Sequence, residues 1–306
     1  MCSFKPRTLK NLNSTLLAII ACILWATAFA GIKIGLEYTT PLRFAGIRFM
    51  LAGLMVLPFC TNLKAELKQA FRNIKVILLF SLFQTFGLYT FFYLGIAKVS
   101  GALTAMIVGG GPLFVALMAH FVNNNEKMTP RKIFSILIGF VGIAIIATEK
   151  FSGSGSNAGS FWGISFLLLS NISGSIGNIV ISKKRPPVSP FVQNAVQIFT
   201  GGLSILILSF VLEPQVIQVK AAPYYISLIW LSFISAMAFS LWFMVLQRPG
   251  VMVSEINIWK FIIPVLGAVL SWILVKGEEP TLLSIAGMIL VGLALIVINY
   301  KPHSKL

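Results

Sequence analysis

Apolar residues in this chain come in long unbroken blocks, and polar residues gather in the gaps between them. Ten blocks stand out, at 16–32, 44–59, 76–94, 102–122, 133–147, 161–181, 191–212, 224–246, 251–275 and 282–300. Most approach the ~20 residues that carry a helix across ~30 Å of hydrocarbon. The second and fifth are short and borrow flanking residues such as Leu42 or Thr148. Strands of an outer-membrane barrel would read as alternating segments of ~10 residues, so continuous blocks mean helices. The pattern predicts an all-α integral membrane protein with ten transmembrane helices.

Composition sharpens this. Of 306 residues 57% are hydrophobic and 10% charged, with a mean hydropathy of +0.91. A typical soluble domain carries roughly 25% charged residues. There is no Asp, and Glu occurs eight times. So few charges cannot clothe a water-soluble enzyme, and so apolar a chain does not stay disordered. Three cysteines, Cys2, Cys22 and Cys60, give no disulfide framework and no zinc spacing.

The net charge of +16 does not point to nucleic acid, because the cations sit in short gaps between apolar blocks. Such cations orient helices, since Lys and Arg stay cytoplasmic. With the N-terminus inside, 16 basic residues fall in inner gaps and six in outer ones. Both termini are therefore expected in the cytoplasm, in a multi-pass inner-membrane protein. Lys5, Arg7 and Lys10 before the first block, with Ala26-Thr27-Ala28 inside it, imitate a signal peptide. The apolar run continues past that site, so we read it as the first helix.

The two halves echo each other. Pro112 lies 14 residues before Glu126, and Pro264 lies 14 before Glu278. In each half an apolar run ends at the glutamate and another follows a further proline. A Ser/Gly-rich stretch sits midway. The division expected is residues 1–148, a linker at 149–159, and 160–306. Five helices per copy is an odd number, so the second copy enters the membrane from the opposite face.

Several short motifs in this order resemble a known family. The first block carries Leu24-Trp25-Ala-Thr-Ala-Phe29 and Ile32-Lys33. The second carries Gly46-Ile47-Arg48-Phe49, and the fourth Gly111-Pro112-Leu113-Phe114 before Glu126. The ninth repeats the theme at Pro264 and Glu278. Over about residues 14–300 the chain resembles the drug/metabolite transporter superfamily, in its EamA-like ten-helix exporter branch. That resemblance implies two inverted five-helix repeats and transport of small molecules. It also brings Arg48 and Lys33 forward as residues of interest.

Some polar side chains in the blocks suggest a site. Lys260 stands well inside the ninth block, where a charge costs at least ~2.5–3.5 kcal/mol. It reads as an anchor for a carboxylate or phosphate, or as half of an ion pair, or as a lysine that snorkels to the interface. Arg48 binds a substrate anion or bridges carbonyls of broken helices. Gln84, Asn171 and Gln197 line a wet cavity or bond neighbouring helices, with Asn178 on the face of Asn171 and Gln193 on that of Gln197. Trp25, Trp259, Tyr89 and Tyr93 are aromatic candidates for its wall. Glu255 is a proton-coupling group, or an acid favoured near a helix N-terminus. Pro112 and Pro264, with Gly110 and Gly111, mark hinges. Glu126 and Glu278 read as helix caps or gate-side ion pairs.

No His-Glu-x-x-His or phosphate-binding loop is present, and intramembrane aspartyl chemistry needs Asp. We expect no enzyme, no cofactor and no metal. The expected partners are a small-molecule substrate and the bilayer, without nucleic acid, and oligomeric state is not written in the sequence. The function expected is secondary transport, as an exporter of amino acids or other carboxylate-bearing compounds. The alternatives are an exchanger of nucleotide-linked or phosphorylated substrates, and a membrane scaffold with no transport cycle.

Overall fold

Helix starts follow from local chemistry. Asn13 accepts the Thr15 N–H at 3.1 Å, and Ser100 accepts that of Leu103 at 3.2 Å, each covering a donor that the first turn leaves open. Pro41, Pro130 and Pro190 open helices where no N–H is needed. The computed structural model describes residues 13–60, 62–122, 129–151, 157–184, 186–214, 221–246 and 258–299. Among them are thirteen α-helices and no strand. These are α1 (Ser14–Leu36), α2 (Pro41–Val56), α3 (Leu63–Arg72), α4 (Ile74–Ser81), α5 (Leu88–Ile96), α6 (Gly101–Gly109) and α7 (Gly111–Val122). The others are α8 (Pro130–Phe151), α9 (Asn157–Lys184), α10 (Pro190–Leu212), α11 (Ala222–Leu246), α12 (Ile262–Leu274) and α13 (Leu282–Asn299).

Seven helical stretches among the described residues are long and apolar enough to cross a membrane. They are Ser14–Leu36, Pro41–Phe59, Ile74–Ile96, Gly101–Met118, Gly159–Ile181, Pro190–Leu212 and Ala222–Trp242. Trp259–Leu274 and Leu282–Ile298 are apolar but shorter. The short second block does lengthen upstream, to Pro41. Large apolar side chains line the outside: Phe134 and Leu137 on α8, Ile207 and Phe210 on α10, Ile226 and Ile229 on α11, Ile289 on α13. Such a surface suits lipid and would aggregate in water.

The blocks are less uniform than the pattern predicted. The third is α4 and α5 joined by a π-helical stretch, Leu82–Gly87. The fourth breaks at Gly110 into α6 and α7. Pro112 has no N–H for the carbonyl four residues back, so the helix cannot run straight through. In the ninth, a 3-10 turn (Ile258–Phe261) precedes α12, and Pro264 likewise withholds a donor from Lys260. The gap after the second block, expected as loop, contains α3. The expected linker 149–159 is helical at both ends, through Phe151 and from Asn157. Glu126 and Glu255 lie outside the described residues.

Packing runs between the halves. α1 lies on α11 and α12, and α9 lies on α5 and α7. α2 lies on α10 and α11, and α10 on α2 and α4. α6 packs on α12 and α8 on α13. Exchanging the halves maps this pattern onto itself. The α2–α10 crossing is close because Gly46 has no side chain: a Cβ there would stand 2.6 Å from Leu206.

Carboxylates stitch the crossings. Glu213, after α10, accepts the Leu42 and Arg43 N–H groups at 2.6 and 3.0 Å and the Thr40 hydroxyl at 2.5 Å. Glu278, after α12, accepts the Gly101 and Ala102 N–H groups at 2.6 and 3.1 Å and the Ser271 hydroxyl at 2.8 Å. Glu66 on α3 accepts the Ser189 N–H at 3.0 Å, at the start of α10. Each acid seats a helix N-terminus of the other half, where the dipole favours a negative charge by ~0.3–1 kcal/mol. Glu278 is thus a cap.

Candidate functional site

Lys260 sits in the turn that Pro264 forces on the start of α12. It is half-buried, and its Nζ lies 4.6 Å from the ring centre of Trp242 on α11. Trp242 lies 5.6 Å from Trp25 of α1, and Trp25 lies 5.3 Å from Phe239. Trp25 and Trp259 are half-buried against the core. Among the described residues the neighbours of the Lys260 amine are the face of Trp242 and the Cys22 thiol of α1, and no hydrogen bond to it is seen. An aromatic face offsets part of the cost of a buried cation.

Arg48 is placed very differently. It is 4% exposed, between α2, α5 and α11. Its Nε donates to the Leu231 carbonyl at 3.3 Å, Nη1 to the Tyr93 hydroxyl at 2.7 Å, and Nη2 to the Ser235 hydroxyl at 3.0 Å. The guanidinium also stacks over Phe49 at 4.7 Å. All three nitrogens are occupied by neutral partners, which locks three helices together. Tyr93 is fully buried, and Tyr89 is half-buried against Phe49, at 4.1 Å between ring centres.

The amides divide in the same way. Gln197 is buried: its amide donates to Asn194 Oδ1 at 2.9 Å, and its Oε1 accepts the Thr85 hydroxyl at 2.5 Å. Ser81 donates to the Gln197 carbonyl at 2.7 Å. Gln84, one residue before Thr85 in the π-helical stretch, has a buried Oε1 that accepts no hydrogen bond from the described residues. Ser173 covers the neighbouring Phe83 carbonyl at 2.8 Å. Such π stretches occur often at functional sites. Asn171 donates to the Ile107 carbonyl at 2.8 Å, at the α6–α7 break, and its Oδ1 is 3.2 Å from where a Cβ on Gly111 would stand. Asn178, expected on the same face, is exposed.

The two breaks meet. A Cβ on Gly109 would stand 2.5 Å from the Pro264 side chain. The glycine before one kink therefore receives the proline of the other. Lys33 lies at the far end of α1, where its Nζ donates to the Ile96 and Val99 carbonyls at 3.2 and 2.9 Å. It holds the end of α5.

The acids among the described residues keep away from this interior. Glu37, Glu66, Glu213, Glu278 and Glu279 all stand at or near helix ends, and no metal-holding group of His, Cys or Glu occurs among the described residues. Among the described residues the interior charges are Arg48 and Lys260, both positive.

Residues 12–148 and 161–300 each match the EamA-like transporter family. The chain belongs to that family. It is a multi-pass membrane protein of the drug/metabolite transporter superfamily. The uncharacterized transporter YvbV of Bacillus subtilis is 27% identical over 98% of this EamA-like chain and 95% of its own. A Salmonella typhimurium protein named "Probable amino-acid metabolite efflux pump" is 23% identical over 93% and 95%. One protein of known crystal structure, 18% identical, shares the fold with a TM-score of 0.62 over 93% of this chain and 96% of its own.

Sequence reasoning missed Trp242, Ser235, Glu66 and Glu213. Glu213 carried a signal, as an acid just past an apolar block. Trp242 and Ser235 carried none, because aromatics and serines are common in such blocks.

Proposed function

We propose that this EamA-like chain is an inner-membrane secondary transporter that exports small polar metabolites, such as amino acids or other carboxylate-bearing compounds, by alternating access. In this reading ten helices form two inverted five-helix repeats, residues 1–148 and 160–306 about the 149–159 linker, with both termini cytoplasmic. The two-fold packing pattern supports it, and so does the Salmonella relative's name. The observation that carries it is the contact of Gly109 with Pro264, which brings the breaks of both halves to one crossing. Two halves that pivot against each other need their flexible points there.

Lys260 anchors the substrate's negative group. Trp25 and Trp259 stand beside it, Gln84 offers an acceptor to a substrate N–H or O–H, and Asn171 holds the break at Gly110, Gly111 and Pro112. Arg48 and Gln197 set the walls through the contacts between helices that they already make. Glu255 is the coupling acid of this scheme.

The test is substrate flux into proteoliposomes, with the metabolite chosen by thermal shift of the purified protein against a panel. Carboxylate-bearing compounds should raise the melting temperature, and the best of them should be transported. Pro112→Ala and Pro264→Ala should fold and bind but turn over more slowly. Unchanged turnover in both would separate the breaks from the cycle. Absence of flux for every compound that binds would refute transport.

A further inference from the structure

The helix α3 is ten residues long and cannot span a bilayer. Its buried side carries Leu63, Glu66, Leu67 and Ala70, which pack with Ile77, Val188 and Val192. The other side is different. Lys64, Lys68 and Arg72 follow one another at four-residue steps, so they share a face within about a quarter-turn, and Phe71 lies among them. All four are exposed, Phe71 to 67%. Lys75 is exposed one turn on, and Lys184 is exposed at the end of α9, whose following loop Glu66 ties to α3.

Among the described residues this charge has no internal counterpart. Glu66 is the sole acid between Glu37 and Glu126, and its carboxylate faces the bundle and the Ser189 N–H. Like charges at four-residue steps destabilise a helix unless counter-charge is supplied. The apolar surface beside them gives the level of the membrane. Leu78, Leu79 and Leu82, on α4 and just beyond, are exposed below the cations. Phosphates at the height of Lys64, Lys68, Arg72 and Lys75 would leave acyl chains along those leucines, with Phe71 at the boundary.

We propose that α3, with the end of α9, forms a binding site for the headgroups of anionic phospholipids. The site is separate from the Lys260 region, and it does not depend on which substrate is carried. The ligand chemistry is a phosphodiester joined to a chain that continues into the bilayer.

The experiment is native mass spectrometry of the intact protein with phosphatidylglycerol and phosphatidylcholine of the same acyl chains. The wild-type protein should retain phosphatidylglycerol in preference. The variant K64Q/K68Q/R72Q/K75Q should lose that preference by at least about tenfold, because each surface cation adds to the attraction. Should it fail to fold, K64Q/K68Q and R72Q/K75Q separately should each lose part of it. K98Q/K276Q, at exposed sites elsewhere, should keep it. Glycerol 3-phosphate, the soluble headgroup, should not displace the lipid. An unchanged preference in folded α3 variants overturns the proposal. Equal loss in the K98Q/K276Q control, or full displacement by glycerol 3-phosphate, also overturns it.

Discussion

Arg48 and Lys260 are both cations in the apolar interior, and the protein treats them in opposite ways. Arg48 gives each guanidinium nitrogen a partner from α5 or α11. Among the described residues Lys260 has an aromatic face and the Cys22 thiol beside it, and no hydrogen bond. The pair Gln197 and Gln84 repeats the contrast among amides. A buried polar group with all its bonds made rigidifies the fold, whereas one left open costs stability and must be repaid elsewhere. The partnered members of each pair tie helices together. The open members are the ones with bonding capacity left over.

The sharpest way to break this contrast is Arg48→Met. It leaves the hydroxyls of Tyr93 and Ser235 without their partner, and should cost about 3 kcal/mol of stability, the scale of charged hydrogen bonds lost in a buried site. A thermal melt of the purified protein in detergent would show it. An unchanged melting temperature would remove Arg48 from the scaffold.

Lys260→Met should do the reverse. Stability holds or rises, because an unfavourable charge has gone. Affinity for a carboxylate-bearing substrate should fall by roughly 1.5–3 kcal/mol, and Lys260→Arg should restore only part of it. Isothermal titration on both variants would check this. A stable Lys260→Met protein with wild-type affinity would end the anchor role.

Gln197→Leu should cost about 1–2 kcal/mol, since the Thr85 hydroxyl and Asn194 Oδ1 lose their partner. Gln84→Leu should have the smallest effect on stability, within about 0.5 kcal/mol, because its Oε1 makes no bond to lose. It should still weaken substrate binding in the same titration. Equal melting temperatures for the two variants would erase the distinction between them.

Much of this was legible in the chain itself. The apolar blocks gave the helices, and a charge inside one of them gave Lys260. Gly109–Pro112 announced the α6–α7 break, because glycines followed by a proline cannot continue a regular helix. The π-helical turn at Leu82–Gly87 had no local mark, and the residue that covers one of its carbonyls, Ser173, lies far along the chain. The role of Arg48 was hidden for the same reason, as Tyr93 and Ser235 lie 45 and 187 residues away. The helix α3 was readable and went unread. Leu63, Leu67 and Ala70 recur at helical spacing in a stretch whose many cations suggested a loop.

The carboxylate caps bear on how the molecule is made. A ribosome delivers α2 and α6 to the membrane long before it reaches Glu213 and Glu278, which seat their N-termini. During that interval four backbone donors, at Leu42, Arg43, Gly101 and Ala102, have no acid to meet. The early half is thus held open as an unfinished surface, and only the arrival of the late half closes it. Biogenesis of this protein is in that sense an act of dimerisation within one chain, timed by translation.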